Sequence, residues 1–402
     1  MKVLLIDVNC KNSSTGKIVY DLYQGLTANG YDAAVCYGRG PMIEEKNIYK
    51  FSLDWETNIH AGLARITGLN GCFSPFSTKR LIAFMEKFKP DVVHIHELHA
   101  YFVNIAPVIT YLKEKKIKVI WTFHCEYMYT GKCGYSYDCE KWKTSCGSCP
   151  FVHDYPKSFF FDFTKRMFDK KKALLTDFDF TIVTPSQWLA DRVKQSFLAD
   201  KPILVIHNGI DTEHVFYPRN TNTLRDKYHL GAKKVILSVA PNIMDERKGG
   251  KWILELSERA ELADYQFVLV GADETKQITQ NVLMVKRTTS QDELAEWYSL
   301  ASCFVICSKK ENFPTTCIEA FSCGTPVVGF DAGGTKETVP QPYGEFVEYG
   351  DVGALACAAS IQLRRTLDRN VIAETAQGLF AKEKMCEQYI DLYKKTYIEE
   401  NR

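Results

Sequence analysis

The segment KKENFPTTCIEAFSCGTPVVGFDAGGTKET, Lys309 to Thr338, decides how the chain should be read. Pro314 fits the first turn of a helix, with Thr315 or Thr316 as its cap. Gly324 and Pro326 then stop that helix, and the apolar run Pro326–Phe330 reads as a strand. Loop, helix, turn and buried strand in close succession are the parts of a βαβ unit. The same alternation runs outward in both directions. Toward the N-terminus lie short apolar, β-branched runs at Val3–Val8, Ala33–Tyr37, Val92–His96, Val119–Phe123, Phe180–Thr184 and Leu204–His207. A second series comprises Val235–Val239, Gln266–Gly271, Cys303–Cys307 and Pro326–Phe330. Helical patterns separate them, as at Ile18–Asn29 and Asp292–Leu300. Such runs read as strands buried on both faces of open parallel sheets.

Two series imply two doubly wound α/β domains. The punctuated stretch HNGIDTEHVFYP, His207 to Pro218, marks the junction. The expected division is residues 1–207, 208–380, and a final amphipathic helix in 381–402. The 402 residues, 46% hydrophobic and 25% charged, suit a globular chain with sizeable cores. A net charge of +1 gives no sign of a nucleic-acid partner. It conceals an asymmetry: residues 1–207 hold 27 Lys and Arg against 21 Asp and Glu, so +6, and the remainder is −5. A basic first half suits an anionic acceptor or membrane surface. No secretory signal or spanning run is visible, so the expected location is the cytoplasm, with peripheral contact at the inner membrane face. There the 14 cysteines should be thiols or metal ligands.

Within the deciding segment, Glu311 falls in the loop and Glu319 about one turn into the helix. Unpaired N–H groups at a helix start favour a diphosphate. A carboxylate beside them can hold sugar hydroxyls, so the arrangement suits a sugar nucleotide; two solvated glutamates near a helix start are the plainer reading. Arg247 and Lys248, in SVAPNIMDERKGGKW, pair two cations able to neutralise a diphosphate without a metal. Alone they read as an exposed basic turn.

The Glu-x7-Glu spacing, followed by CGTPVV and GG, resembles the retaining GT-B glycosyltransferases of family 4, and the similarity runs over nearly the whole chain. It is strongest to the branch that makes capsule, exopolysaccharide and colanic-acid-type polymers. The resemblance implies two Rossmann-like domains facing across a cleft, with the last helix returning to the first domain. It implies that Glu311 meets the hydroxyls of the transferred hexose and Glu319 the ribose. Asn312, Phe313, Thr315 and Thr316 would surround hexose and diphosphate. Lys248 matches a family lysine; the family arginine usually stands earlier, where this chain has Asn242. The base would be read near Val285 and Lys286. Gly16 and Lys17, in NCKNSSTGKIVYDL, match a loop that closes over donor and acceptor, and otherwise read as a plain loop before a helix. His124, at the end of VIWTFH, matches a histidine beside the transferred sugar; without the resemblance it reads as a core histidine. His94, His96 and His99 would line the crevice or acceptor channel rather than hold metal. The reaction implied is same-face substitution in which the leaving diphosphate takes the acceptor proton, with no catalytic metal.

Two stretches stand outside that scheme. Cys133, Cys139, Cys146 and Cys149 could hold one structural zinc in an insert, 125–150, with little apolar content of its own. Free thiols and a redox pair are the other readings. KSFFFDFTKRMFDKKKALL, Lys157 to Leu175, interleaves Phe with basic residues, as a membrane-surface segment does; a core-facing amphipathic helix has the same pattern. The expected function is transfer of a hexose from a nucleotide-diphosphate sugar to a glycan or lipid-linked acceptor. A sugar-nucleotide epimerase or hydrolase, and a non-catalytic zinc-stapled interaction protein, are the alternatives.

Overall fold

The computed structural model describes residues 1–288 and 290–398. It separates into two compact units, Met1–His207 with the segment from Met385 onward, and Asn208–Lys384.

The first unit is built on seven parallel strands: β1 (Lys2–Asp7), β2 (Asp32–Tyr37), β3 (Ile48–Lys50), β4 (Val92–Ile95), β5 (Lys118–Thr122), β6 (Thr181–Thr184) and β7 (Ile203–Val205). Their order is β3-β2-β1-β4-β5-β6-β7. Val3–Ile6, Val92, Val93, Ile95, Ile120 and Trp121 are fully buried, as strands with helices on both faces must be. The direction of winding reverses between β1 and β4. At such a switch point the carboxyl ends of the strands open a crevice. Asp7, His96, Glu97 and His124 end or follow those strands.

The second unit carries β8 (Val235–Val239), β9 (Gln266–Ala272), β10 (Lys276–Thr279), β11 (Val282–Lys286), β12 (Cys303–Ile306), β13 (Val327–Phe330) and β14 (Gly344–Val347). The order is β10-β11-β9-β8-β12-β13-β14, with only β10 antiparallel to its neighbour. Its switch point lies between β8 and β12, which places the segments after them, around Lys248 and Glu311, side by side.

All ten expected strands are present. Three edge strands carry too weak a pattern to be read: β3 has three residues, β10 (KQIT) is exposed throughout, and β14 opens on glycine.

The last helix, Lys382–Ile398, buries Met385, Cys386, Tyr389, Ile390, Leu392 and Tyr393. A polar chain fixes it to the first sheet. The Tyr393 hydroxyl lies 2.6 Å from His94 Nδ1, His94 Nε2 lies 2.8 Å from Thr122 Oγ1, and Thr122 Oγ1 lies 2.9 Å from the Tyr389 hydroxyl. His94 is therefore a core hydrogen-bonding residue and does not line a crevice.

The insert also differs from its expectation. Tyr127, Met128, Tyr129 and Trp142 are buried and join the core of the first unit. Its polar anchors are buried as well. Arg192 Nε donates to Glu126 at 2.5 Å, and Ser136 N to the same carboxylate at 2.6 Å. Lys171 Nζ donates to the carbonyls of Tyr127 and Thr130 at 2.5 and 3.0 Å. Aromatic packing and caged cations thus contribute to the order of this segment.

Candidate functional site

In the second unit, the loop after β8 brings Lys248 against Glu311. Lys248 Nζ stands 2.6 Å from Glu311 Oε1, with the side chains 19% and 11% exposed. Two glycines make this approach possible. Gly249 has φ +75°, and a Cβ there would come within 2.1 Å of the Cys307 carbonyl oxygen. Gly333 has φ +91°, and its Cβ would meet the Glu311 carbonyl oxygen at the same distance. Only glycine allows both the turn and the contact. The loop is held on each side: Lys309 N donates to Arg247 O at 2.8 Å, Glu311 N to Ala332 O at 2.9 Å, and Gly334 N to Glu311 O at 3.0 Å. The GG motif thus serves to seat Glu311.

The helix that follows spans Thr315–Ser322. Pro314 sits at its N-cap rather than in its first turn, and Thr315 and Thr316 are helical residues rather than caps. Proline brings no side-chain acceptor, so no side-chain cap closes this helix start. Asn312 and Phe313 are buried just before it. Glu319, one turn in, accepts from the Tyr298 hydroxyl at 2.9 Å. Burial and then the adjacent Glu319 push the Tyr298 phenol well above its ordinary range, so it stays a donor. Tyr298 was missed in the sequence because it lies inside the helix Gln291–Leu300, where an aromatic reads as core.

Arg247 is half-buried, and its N–H donates to Asp245 Oδ1 at 2.8 Å. Val285 and Lys286, where the resemblance puts the base, are the last two residues of β11. Val285 pairs with Val270 of β9, and the Lys286 N–H is taken by Thr275 Oγ1 at 2.9 Å. The backbone at these two positions is engaged by the sheet and its edge.

In the first unit, the helix Ser14–Ala28 starts beside β1 with Ser13 as N-cap. Ser13 Oγ accepts from Gly16 N at 3.2 Å, and Lys17 N donates to Ser13 O at 3.2 Å. The Gly16 and Lys17 N–H groups are thereby occupied by the cap. Thr15 Oγ1 donates to Asp7 Oδ2 at 3.2 Å, which sets a carboxyl beside the helix start. Burial, and secondarily Glu97, raises the Asp7 carboxyl to about 7.

His124 follows β5 and lies 3.0 Å, Nε2 to Nδ1, from His96. Burial lowers His124 to about 4, with Glu97 opposing and His99 reinforcing, so it is neutral at pH 7. His99 Nε2 pairs with Glu97 Oε2 at 2.6 Å, and Cys125 Sγ donates to the same oxygen at 3.6 Å. Burial pushes the Glu97 carboxyl up, but His99 overrides it and holds it below its usual range. The sequence offered His96, His99 and His124 but gave no signal for Asp7, Glu97 or Cys125, which only the sheet topology assembles.

Cys133, Cys139, Cys146 and Cys149 line one cavity with Lys132 and Trp142. Cys146 Sγ accepts from Gly131 N at 3.1 Å. Among the described residues, the potential ligands gathered within 4.8 Å of one another are Glu97, His99 and Cys125, so the four thiols are not drawn to that spacing.

Two Rossmann-like units, one with an acid–base pair at its switch point next to a helix start, define a GT-B glycosyltransferase. Residues 15–214 match the model for Glycosyltransferase Family 4, and residues 233–364 that for Glycosyl transferases group 1. The chain belongs to glycosyltransferase family 4. It is 22% identical over 413 residues to the putative colanic acid biosynthesis glycosyl transferase WcaC of Escherichia coli, covering 98% of this chain and 99% of that one. It is 26% identical over 225 residues to the N-acetyl-alpha-D-glucosaminyl L-malate synthase of Bacillus anthracis, covering 53% of this chain and 58% of that protein. Among solved structures, sucrose-phosphate synthase from Thermosynechococcus elongatus matches with a TM-score of 0.70 at 19% identity, over 99% of both chains. The Anabaena protein HepE in complex with UDP and glucose matches with a TM-score of 0.67 at 13% identity, over 98% of this chain and 99% of that one.

Proposed function

We propose that this glycosyltransferase moves a hexose, with retention, from a nucleotide-diphosphate sugar to a glycan or lipid-linked acceptor in cell-surface polysaccharide assembly. The observation that carries the reading is the Lys248–Glu311 pair beside the helix start at Thr315. In this reading the donor's diphosphate lies at that helix start, where N–H groups and the macrodipole favour negative charge. Lys248 turns to the diphosphate, aided by Arg247. Glu311, released from its partner, takes the hexose hydroxyls, and Glu319, aimed by Tyr298, takes the ribose. The acceptor oxygen bonds to the anomeric carbon on the face from which the diphosphate departs, and its proton passes to a leaving phosphate oxygen. These residues position and stabilise charge rather than forming a covalent intermediate. The acceptor is assigned to the first unit, with His124 as a neutral hydrogen-bonding group. The likeness to WcaC supports the polysaccharide context, and HepE, solved with UDP and glucose, supports the donor class.

The test is a thermal-shift screen of UDP-, GDP- and ADP-sugars, followed by a transfer assay with the donor that stabilises the chain. Glu311→Ala should abolish transfer, and undiminished turnover refutes the assignment. Conversion of donor without acceptor, at the rate of transfer, would favour an epimerase or hydrolase instead.

The four insert thiols are assigned in the same proposal to one structural zinc. Their common cavity supports this, as do the N–H groups of Gly131 and Phe151, which donate to Cys146 and Cys149 as backbone N–H groups do to metal-bound thiolates. Closing on the ion requires the sulfurs to draw together. Four thiolates leave no open position, so the ion takes no part in transfer. Metal analysis of the purified chain should find one zinc, and a zinc-free chain with unchanged melting temperature refutes the assignment.

A further inference from the structure

The helix Asp54–Thr67 is inverted. Its inward face holds Glu56, Thr57, His60 and Ala64. Its outward face carries Trp55, Ile59, Leu63 and Ile66, which are 52%, 54%, 39% and 45% exposed. Spacings of four, four and three residues make these an apolar stripe that ordinary patterning would turn to the core. The buried polar groups explain the orientation. Glu56 accepts from Phe76 N and Ser77 N at 2.9 and 2.7 Å, and so caps the helix Pro75–Phe88. His60 Nδ1 lies 2.8 Å from Ser74 Oγ, and His60 Nε2 accepts from Gly71 N at 3.1 Å. Turning the stripe inward would strand these groups.

The stripe continues at both ends. The Trp55 ring lies 6.0 Å from that of Phe76, itself 55% exposed. At the other end Phe159 N donates to Arg65 O at 2.7 Å, which docks the segment Phe159–Phe161 on the helix terminus. Those three phenylalanines are 52%, 74% and 50% exposed. They precede the helix Thr164–Leu175, whose Met167 and Phe168 are buried, so the Phe run divides between surface and core. Around the strip Arg65, Lys79, Arg80, Lys157, Lys165 and Arg166 are exposed. The exposed acids in the same stretches are Asp54, paired with Lys50 at 2.8 Å, Asp162, bonded to Cys149 N and Thr164, Asp169, paired with Lys165 at 3.0 Å, and Glu86.

We propose that the outer face of helix Asp54–Thr67, with Phe76 and Phe159–Phe161, docks the first unit on an anionic phospholipid bilayer. Aliphatic and aromatic side chains enter the headgroup boundary while the basic rim meets lipid phosphates. With Lys165 paired to Asp169, the excess of positive charge on Arg65, Lys79, Arg80, Lys157 and Arg166 still selects an anionic bilayer over a second copy of the chain, which would bring the same rim against itself. The proposal does not depend on the donor assignment above.

The test is flotation of the full chain with vesicles of equal parts phosphatidylglycerol and phosphatidylcholine, against phosphatidylcholine alone. The wild type should float with the anionic vesicles, less so as salt rises. The double variant Trp55→Ser/Phe160→Ser should lose at least about tenfold in partitioning, with its melting temperature and monomeric elution unchanged. Phe160→Glu alone, at the most exposed of the three phenylalanines, carries the test should the double variant fold poorly. A wild type that stays with the soluble fraction refutes the proposal. So do variants that float equally well, or a wild-type dimer that the variants dissolve.

Discussion

Separating Lys248 from Glu311 probes the site most directly, because the pair is expected to hold the empty site together and to part when donor binds. A charge-assisted hydrogen bond of 2.6 Å between side chains 19% and 11% exposed should contribute about 1.5–3 kcal/mol net. Lys248→Met and Glu311→Gln should each lower the melting transition of Asn208–Lys384 by about 3–12 °C, at about 2–4 °C per kcal/mol for a unit of that size. The double variant should fall short of the sum by about the pair's own contribution. Calorimetry resolves that transition, and a coupling below about 0.5 kcal/mol refutes the structural part of the argument. Ligand binding separates the roles further. Lys248→Met should lose affinity for the nucleoside diphosphate of the preferred donor. Glu311→Gln should keep that affinity, since Lys248 is freed, yet lose about 100-fold or more in turnover. Equal loss of diphosphate affinity in both variants would refute the division of labour between the two charges.

Three further outcomes are expected. Tyr298→Phe removes the 2.9 Å hydrogen bond to Glu319, and should raise the donor KM by about five- to tenfold in steady-state assays while leaving kcat nearly unchanged. Gly333→Ala forces a Cβ toward the Glu311 carbonyl at φ +91°; it should cost at least about 1–2 kcal/mol in calorimetry and abolish transfer. Stability should fall on acidification. Burial holds His60 and His124 at about 4, so between pH 6.5 and 4 the unfolded chain binds protons that the folded one refuses. Their contribution is complete above pH 6.5 and is lost as pH falls toward 4, on the order of 3 kcal/mol each. Asp7 acts in the opposite sense, because its folded carboxyl keeps a proton up to about 7. The net acid loss should therefore be larger in a variant carrying Asp7→Asn, as melting curves at pH 7 and 4.5 will show. Equal curves would refute the balance.

Much of the fold was legible because the central strands are buried on both faces, which leaves uninterrupted apolar runs such as VLLID and VILSV for hydrophobicity alone to mark. The site in the second unit was nearly as legible, since Glu311, Lys248 and the glycines that seat them lie in two continuous segments where spacing carries the geometry. The first unit was not. Asp7, Glu97, His99 and Cys125 come from the ends of three strands, and nothing in their local context links them until the sheet order places β1, β4 and β5 together. β11, which holds Val285 and Lys286, was not among the expected strands; its apolar run VLMV is short and its neighbour β10 is polar and exposed.

The helix Asp54–Thr67 shows where pattern reading fails outright. Periodicity reports which residues share a face and is silent on which face turns inward. Here the direction is settled by hydrogen bonds to groups at Gly71, Ser74, Phe76 and Ser77, beyond the helix itself. A buried carboxylate that caps a neighbouring helix, and a histidine bonded on both nitrogens, cost more to expose than four apolar side chains cost to leave at the surface. That balance holds for the chain in water. Contact with a bilayer would recover the apolar term as well, so the same polar network that orients the helix also determines which surface the first unit offers to lipid.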